Sequence, residues 1–379
     1  MNTYEFELNE KGYLNVRKFG AIGDGLHDDT ASVQRAIDEA AVSGLPIHLL
    51  PGNYSVGELI LYPGSVITAE PQWGFAMKTM GKTILSQRFE EQECVLDVSK
   101  ANGATINGLS IMGLGKEKGK GCSGILSRKK DPGKIEDAYR IERTRVAGFS
   151  SHAVALYHVW CFTVRQSMFC FSGGDGLHMK GYDGFISDNW FSGNTGCGFG
   201  TEDMNCSVTM TGNRIEWNKN GGIVIQGGSH YNITGNYIDR SGKEAIVMVP
   251  GKGENYCNSI ACVGNMIYRS GKSALSDRSS HVRMVKCVGV TFTGNSMCIG
   301  RDDNGQGDLS PERAMYVKGC RDCVISNNTM FASARKELMT DIDNENCVIS
   351  GNVGTVFPES LMDRNDELPS TLAARARFE

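Results

Sequence analysis

Short segments in which apolar and polar residues alternate recur along the chain at a period of roughly 22 to 29 residues. Most of them contain Gly-Asn or Asn, and this asparagine stands at Asn189, Asn213, Asn236, Asn265, Asn295, Asn328 and Asn352. Strands this short cannot bury an apolar face alone, whereas stacking them in parallel coils does bury it. The pattern therefore predicts an all-β solenoid, a parallel β-helix in which each coil packs on its neighbours.

A second set of short apolar segments lies between these repeats. It includes GDGLHMKG at 174–181, GGIVIQGG at 221–228 and EAIVMVPG at 244–251. Each period therefore holds two or three strands, and adjacent coils are expected about 4.8 Å apart. Asparagine tolerates the left-handed backbone of turns and can hydrogen-bond along a ladder. We therefore predict a structural role for the asparagine column.

One segment has a strong helical pattern, the stretch 28–44. Its apolar residues follow helical spacing, at Val33, Ala36, Ile37 and Ala40. Thr30 or an adjacent aspartate is the expected N-cap and Gly44 the expected stop, which predicts a helix over about 29–43. A single helix ahead of a solenoid is expected to cap its open first coil, because exposed sheet edges recruit other chains.

The repeats and the helix divide the sequence into three parts. We predict a capping segment at 1–55, a β-helix of about ten coils at 56–357 and a C-terminal tail or cap at 358–379.

Composition narrows the functional classes. No apolar run approaches the roughly 20 residues that span a bilayer, and a formal charge of −4 over 379 residues offers no broad basic surface for nucleic acid. Met1 to Leu14 lacks the pattern of a signal peptide, so a cytoplasmic location is expected.

The 13 cysteines are not spaced as in a disulfide framework, so we interpret them as reduced core residues. Cys320 and Cys323 form a single CxxC pair, which is weak evidence for a metal, and no metal site is predicted.

The segment Leu14 to Tyr54 reads LNVRKFGAIGDGLHDDTASVQRAIDEA and then PIHLLPGNY. It resembles the N-terminal signature of the pectate lyase superfamily of right-handed β-helices, which includes polygalacturonases, phage tailspikes and inulin fructotransferases. The resemblance implies a right-handed β-helix acting on or binding carbohydrate, a homotrimer, and a virion-associated location if the chain is of phage origin. It does not select a reaction, because one fold hosts many chemistries. The usual polygalacturonase motifs are absent in their usual order, which disfavours that activity.

Aligning the coils by their asparagines places Glu216 beside Asp239 in adjacent coils. Trp217, Arg240 and Arg269 fall in the next column. Paired carboxylates suit glycosidic cleavage, which needs one acid and one base or nucleophile, and an aromatic ring with guanidinium groups suits sugars. The alternative is an outward salt-bridge ladder without catalytic function.

A second polar group is predicted on the other strand, where Tyr157, Lys180 and Glu202 align. His178 is expected to point outward between Leu177 and Met179 because strand residues alternate. Asp203 follows Glu202 in an acidic stretch, GTEDMN, that interrupts the apolar pattern. Asp203 and Glu216 are similar in type and approximate spacing to the Asp and Glu that do the chemistry in inulin fructotransferases. His230 is added as a further candidate sugar-binding residue.

These observations lead to one preferred function and two alternatives. The preferred hypothesis is a glycoside hydrolase or fructotransferase-like enzyme in which Glu216 acts with Asp203 or Asp239 on an oligo- or polysaccharide, without an organic cofactor. The first alternative is a polysaccharide lyase or epimerase on uronic acids that uses Arg240, Arg269, Lys180 and His178, with Ca²⁺ as a candidate cofactor. The acids of the loop 300–308 are candidate calcium ligands, although their spacing does not match an EF-hand and a flexible acidic loop is the preferred interpretation. The second alternative is a tailspike or adhesin that binds glycan without cleaving it.

Overall fold

The computed structural model describes residues 12–74, 81–253, 255–271, 279–298 and 311–356. Within these ranges nearly all regular structure is β-strand, and the strands pair in parallel. The chain divides into two compact units, Met1–Gly196 and Cys197–Glu379. Both have the architecture of a right-handed parallel β-helix, which confirms the fold that the repeats predict.

The first unit contains strands β1 to β16. Their bounds are β1 Asp24–Asp28, β2 Ile47–His48, β3 Gly52–Val56, β4 Leu59–Ile60, β5 Val66–Thr68, β6 Thr83–Gln87, β7 Cys94–Asp97, β8 Thr105–Asn107, β9 Ser110–Met112, β10 Ser123–Arg128, β11 Arg140–Glu142, β12 Arg145–Ala147, β13 Val154–Arg165, β14 Met168–Cys170, β15 Leu177–Ser187 and β16 Trp190–Ser192.

Three ladders of strands form the walls of this unit. One runs β1, β3, β6, β9, β12, β14, β16. The other two run β2, β5, β8, β11 and β4, β7, β10, and both join the long strand β13, which pairs with β15. The pairing of β13 with β15 brings the polar residues of both strands onto one outward face.

The predicted N-terminal helix is present as α1, Thr30–Ser43, and a 3-10 helix at Val16–Phe19 precedes it. Its buried residues are the four apolar ones expected, Val33, Ala36, Ile37 and Ala40. Asp29 occupies the N-cap position, but its carboxylate accepts hydrogen bonds from the backbone N–H groups of Ile22 and Gly23 rather than from the helix. Gly44 ends the helix in the left-handed conformation that favours glycine.

The second unit contains strands β17 to β35. Their bounds are β17 Cys197–Thr201, β18 Asn205–Thr211, β19 Arg214–Glu216, β20 Gly221–Gln226, β21 Gly228–Ser229, β22 Asn232–Thr234, β23 Tyr237–Asp239, β24 Ile246–Val249, β25 Ala261–Val263, β26 Met266–Tyr268, β27 Ser280–Val285, β28 Thr291–Thr293, β29 Ser296–Cys298, β30 Arg313–Lys318, β31 Val324–Ser326, β32 Thr329–Met330, β33 Glu337–Ile342, β34 Val348–Ser350 and β35 Val353–Gly354.

Each described coil of the second unit adds one strand to each of three ladders. The ladders run β17, β20, β24, β27, β30, β33, then β18, β22, β25, β28, β31, β34, and then β19, β23, β26, β29, β32, β35. Stacked apolar side chains fill the interior, as with Ile215, Ile238, Ile267 and Met297, all fully buried. The core is therefore a set of apolar columns.

The asparagine column forms a continuous buried ladder in the second unit. Asn213, Asn236, Asn265, Asn295, Asn328 and Asn352 each follow one another in adjacent coils. In each step the side-chain oxygen of one asparagine accepts from the backbone N–H and the side-chain amide of the preceding one. The column has the structural role predicted for it, because it satisfies buried backbone groups at the same corner of successive coils.

The segment boundaries differ in part from the sequence expectation. Strands β1, β2 and most of β3 lie within 1–55, so the predicted capping segment also supplies strands to the walls. Strands continue to Gly354, while 358–379 and the loop 300–308 lie outside the described residues. Within the described ranges, no helix is long and apolar enough to cross a membrane. All 13 cysteines are free thiols.

Candidate functional site

Glu216 and Asp239 are neighbours in adjacent coils, in the register expected from the sequence. Both side chains are buried, however, with only 5% of Glu216 and none of Asp239 exposed. The Nε atom of Arg214 lies 3.0 Å from a Glu216 carboxylate oxygen. The pair is therefore part of the wall rather than of an open surface.

Two guanidinium groups enclose the Asp239 carboxylate. Arg269 donates to both of its oxygens, at 3.0 and 2.6 Å, and Arg240 donates to one of them. Arg240 lies over the Trp217 ring at 4.5 Å, and Arg269 over Tyr268 at 3.9 Å. A carboxylate removed from water is tolerated only with such pairing. This arrangement contains the ion pairs of the salt-bridge ladder considered from the sequence, but it is buried rather than outward, and it leaves Asp239 no approach for a polymer.

Asp203 lies just after strand β17 and anchors a turn. Its Oδ2 accepts from the Gly253 N–H at 3.1 Å, and a Cβ atom added to Gly227 or Gly251 would collide with its Oδ1. The carboxylate is therefore held between the backbones of two turns. Glu202 is half-buried, and His230 is exposed in a turn with a left-handed backbone. These three residues lie at strand ends or in turns, and their side chains do not form a pair of carboxylates suited to catalysis.

A cluster of three ionisable side chains lies in the first unit, where β13 and β15 begin. His178 Nδ1 lies 2.8 Å from Asp175 Oδ2, and His152 Nδ1 lies 3.7 Å from the same oxygen. The two imidazole rings stack with centroids 4.4 Å apart. The side chains are 12–21% exposed, and the Nε2 atom of His178 is itself buried. Such convergence in a partly buried position is typical of functional sites.

Hydrogen bonding fixes the tautomers of both rings. Asp175 accepts from Nδ1 of His178, so in the neutral ring the lone pair is on Nε2. The backbone N–H of Asp175 donates to Nδ1 of His152 at 2.9 Å, so the neutral His152 ring carries its proton on Nε2. An imidazole held by a carboxylate in this way is an oriented general base.

Tyr157 and Lys180 complete the cluster. The register of β13 with β15 pairs Ala155 with His178 and Tyr157 with Lys180, as the sequence alignment predicts. Leu177 and Met179 are fully buried on either side of His178, so His178 and Lys180 share the outward face. The Tyr157 and His178 ring centroids are 5.6 Å apart. One base, one phenol and one ammonium group therefore occupy neighbouring positions.

Two glycines make room for the cluster. A Cβ atom at Gly174 would lie 2.8 Å from Nδ1 of His152, and one at Gly196 would lie 2.2 Å from Oδ1 of Asp175. Any larger residue would displace the ring or the carboxylate. The backbone thus holds these side chains in a fixed arrangement.

The same three side chains also have the residue types of a metal centre. Ligand atoms of His152, Asp175 and His178 lie within 4.8 Å of one another. Two nitrogens and one carboxylate oxygen suit a transition metal better than Ca²⁺, which prefers oxygen ligands. The Nδ1 atoms that face Asp175 are engaged in hydrogen bonds, so the arrangement fits a hydrogen-bonded catalytic group better than a metal site. The candidate calcium ligands of 300–308 lie outside the described residues.

Sequence reasoning found part of this cluster. His178 and Lys180 were predicted, and Tyr157 was aligned with them. His152 was missed because it precedes β13 and belongs to no repeat column. Asp175 lies in the segment GDGLHMKG at 174–181 and is not a candidate in the sequence analysis, although its spacing of three residues from His178 is consistent with the contact.

Comparison with known proteins places the fold in a family. The family described as "right handed beta helix region" matches residues 96–260 and 152–305, more than half of the chain. The chain belongs to this family. The family described as "rhamnogalacturonase A/epimerase, pectate lyase-like" matches residues 13–119, which include the N-terminal signature.

The individual proteins that match this chain have low sequence identity to it. Mannuronan C5-epimerase AlgE3 of Azotobacter vinelandii is 26% identical over 242 residues, which are 57% of this chain and 12% of that protein. The chain spans only 12–23% of the first four such epimerases that it matches.

Solved structures share the fold at lower identity. The A-module of the Azotobacter vinelandii mannuronan C-5 epimerase AlgE4 superposes with a TM-score of 0.65 at 19% identity, covering 90% of this chain and 99% of that one. Tailspike protein 2 of an Escherichia coli O157:H7 bacteriophage gives 0.66 at 17% identity, covering 83% and 42%. At these identities the likeness establishes the fold alone.

Proposed function

We propose that the chain is a carbohydrate-active enzyme that removes the C5 proton of a uronic acid residue in a polysaccharide, as a C5-epimerase or a lyase. The observation that carries this proposal is the His178–Asp175 pair, with Tyr157 and Lys180 on the same outward face. It is the only cluster of three or more possible metal-ligating His, Cys, Asp or Glu groups found among the described residues.

The chemistry requires a base, a counter-charge and an acid. The C5 proton is adjacent to the uronate carboxylate, and its removal places negative charge on that carboxylate. His178 Nε2 takes the proton, which requires that the polymer displace the side chains that bury this nitrogen, and Asp175 stabilises the imidazolium that results. The Lys180 ammonium stabilises the charge developing on the substrate. Tyr157 supplies a proton to the intermediate.

Two products follow from the same intermediate. Return of a proton to C5 from the opposite face inverts that carbon and leaves the polymer intact. Expulsion of the oxygen at C4 instead breaks the glycosidic bond and leaves an unsaturated sugar. The names of the related epimerases favour mannuronan as substrate and the first outcome. No organic cofactor is required by either route.

The glycosidase or fructotransferase hypothesis is the weaker alternative. It needs a carboxyl group that reaches the sugar, whereas Asp239 is fully buried between two arginines and Asp203 is held by a turn. The likeness to a tailspike favours glycan binding as a third hypothesis, in which the same face holds polymer without reaction. A homotrimer stays a prediction, which light scattering of the purified protein would check.

The test is conversion of mannuronan by the purified chain, followed by proton NMR for inverted residues and by ultraviolet absorbance for unsaturated ends. We expect one of these signals in the wild type, and a loss of about 100-fold or more in His178→Gln. His27→Gln is the matched control, because this histidine is 61% exposed and remote in sequence from the cluster. A chelator in parallel reactions tests the separate proposal of a calcium requirement.

Other outcomes would contradict the proposal. Activity retained in His178→Gln would remove His178 as the base. Release of reducing ends from inulin, lost in Glu216→Gln, would favour the glycosidase hypothesis. Polymer binding without either product would favour the glycan-binding hypothesis.

A further inference from the structure

Strand β13 contains a bulge directly after Tyr157. Its register with β15 pairs Tyr157 with Lys180 but Val159 with Gly181, the residue after Lys180. His158 is therefore an extra residue in β13, and its backbone is left-handed, with φ 56°. A bulge changes the direction in which neighbouring side chains point, and bulges are frequent next to active sites. This bulge therefore helps to set the direction of the Tyr157 phenol.

Asp137 holds the chain just beyond the bulge. Strand β10 pairs with β13 as far as Tyr157, and β11 pairs with it from Thr163 onwards. Between these two strands, Asp137 supplies the hydrogen-bond partners. Its Oδ2 accepts from the backbone N–H of Trp160 at 2.9 Å, and its own N–H donates to the Trp160 carbonyl at 3.1 Å. Both backbone groups of Trp160, three residues after Tyr157, are thus bonded to Asp137.

An ion pair keeps this carboxylate in place. Lys129, the first residue after β10, donates to Oδ1 of Asp137. The Asp137 side chain has no exposed surface, and only 14% of the Lys129 side chain is exposed. A carboxylate removed from water needs such a partner. The two oxygens of Asp137 therefore have separate roles, since one binds the ammonium group and the other binds the backbone of Trp160.

We propose that Asp137 is a positioning residue, which fixes the bulge after Tyr157 and thereby holds the Tyr157 phenol beside His178. The two rings have their centroids 5.6 Å apart, whereas Asp137 is fully buried and does not itself contact the polymer. The inference rests on the proposed function, in which Tyr157 supplies a proton to the intermediate. A displacement of about 1 Å in such a group can lower the rate about 100-fold. Loss of the oxygen that binds Trp160 should therefore lower kcat and leave KM nearly unchanged.

Two neutral variants separate the hydrogen bond to Trp160 from the ion pair. Both carry Lys129→Met, because removing Asp137 alone would leave a buried ammonium group without its carboxylate. Lys129→Met with Asp137→Asn keeps an oxygen for the Trp160 N–H, whereas Lys129→Met with Asp137→Ala does not. On mannuronan we expect the Asn variant to keep kcat within about threefold of the wild type and the Ala variant to lose about tenfold or more, with KM within about twofold in both. Asp131→Asn, exposed in the same loop, is the matched control and should change neither constant.

A double-mutant cycle tests whether Asp137 acts through Tyr157. In a Tyr157→Phe background the phenol proton is absent, so the Ala variant should lower kcat by less than about twofold further. A purely structural role would lower kcat by the same factor in both backgrounds. Equal losses in the two backgrounds, or a wild-type kcat in the Ala variant, would overturn the proposal.

Fluorine NMR reports on the surroundings of Tyr157 without any activity. The chain is labelled with 3-fluorotyrosine, and the resonance that is missing from Tyr157→Phe is that of residue 157. We expect this resonance to move in the Ala variant and to keep its position in the Asn variant and in Asp131→Asn, with the circular dichroism of the wild type in all three. Asp137→Ser with Lys129→Met replaces the Ala variant if that chain does not fold, because the serine side chain ends one bond short of Oδ2.

The two proposals fail in different ways. An unmoved resonance in the variant that lacks the Asp137 oxygen would refute the positioning role, even in a chain that converts mannuronan. A displaced resonance in a chain without activity on mannuronan would support the positioning of Tyr157 and contradict the proposed function.

Discussion

The asparagine ladder gives the sharpest prediction about stability. Asn265 lies within the buried ladder, and only 1% of it is exposed. Its oxygen accepts from the N–H and the side-chain amide of Asn236, and its own amide donates to the Ile233 carbonyl and to Asn295. Asn265→Ala removes all four bonds.

The cost can be worked from the groups left behind. The backbone N–H of Asn236 and the carbonyl of Ile233 lose a partner in a place closed to water. Each buried polar group without a partner costs about 1–3 kcal/mol, so Asn265→Ala should lower the free energy of unfolding by about 2–6 kcal/mol. Asn232→Ala is the control. Asn232 is exposed on β22 and accepts only from Thr234 Oγ1 in the same strand, so its loss should cost less than about 0.5 kcal/mol.

Urea unfolding followed by circular dichroism measures both variants. Because coils of a solenoid need not unfold together, amide hydrogen exchange at Asn236 supplies a local reading, and exchange there should accelerate in Asn265→Ala. An Asn265→Ala midpoint within error of the Asn232→Ala midpoint would refute the ladder argument.

Three further predictions follow from buried groups. Burial lowers the pKa of His281 from its ordinary 6.5 to about 3, so only the unfolded chain gains this proton as the pH falls below 6.5. The free energy of unfolding should fall by about 2 kcal/mol between pH 7 and pH 5, and a drop of equal size in His281→Leu would contradict this. Asp239→Asn leaves two buried guanidinium groups without their carboxylate and should cost about 3–5 kcal/mol; an unchanged melting temperature would show that the ion pairs are dispensable. Gly174→Ala should displace His152 and reduce mannuronan conversion while circular dichroism stays that of the wild type, and full activity would show that the ring position is unimportant.

The sequence was sufficient for the fold and for much of the register. The spacing of Asn213, Asn236 and Asn265 predicts which coils stack, because one asparagine marks the same corner of each coil. The alignment of Glu216 with Asp239, and of Tyr157 with Lys180, follows from that repeat. Periodicity was informative here because a solenoid repeats one local structure.

Burial at the corners was not predictable from the same pattern. Asp239, Arg240 and Arg269 stand where alternation no longer holds, since the chain turns there, with a left-handed backbone at both arginines. Three charged residues in one place predict an exposed surface, yet their mutual pairing permits burial. The contact of His152 with Asp175 was not predictable from the repeat alignment, because it depends on a turn outside the repeats. The repeat columns therefore predict which residues are neighbours, but they do not predict which side chains are exposed to solvent.

Incorporation of deuterium at C5 tests the central claim most directly. Mannuronan is incubated with the chain in D₂O, the polymer is hydrolysed, and mass spectrometry with NMR locates deuterium in the sugars. An epimerase that uses His178 as base should place deuterium at C5 of the inverted residues and should lose this label in His178→Gln but not in His27→Gln. Inverted residues without deuterium at C5, or bound polymer in which no residue is inverted or unsaturated, would contradict proton abstraction and with it the proposed function.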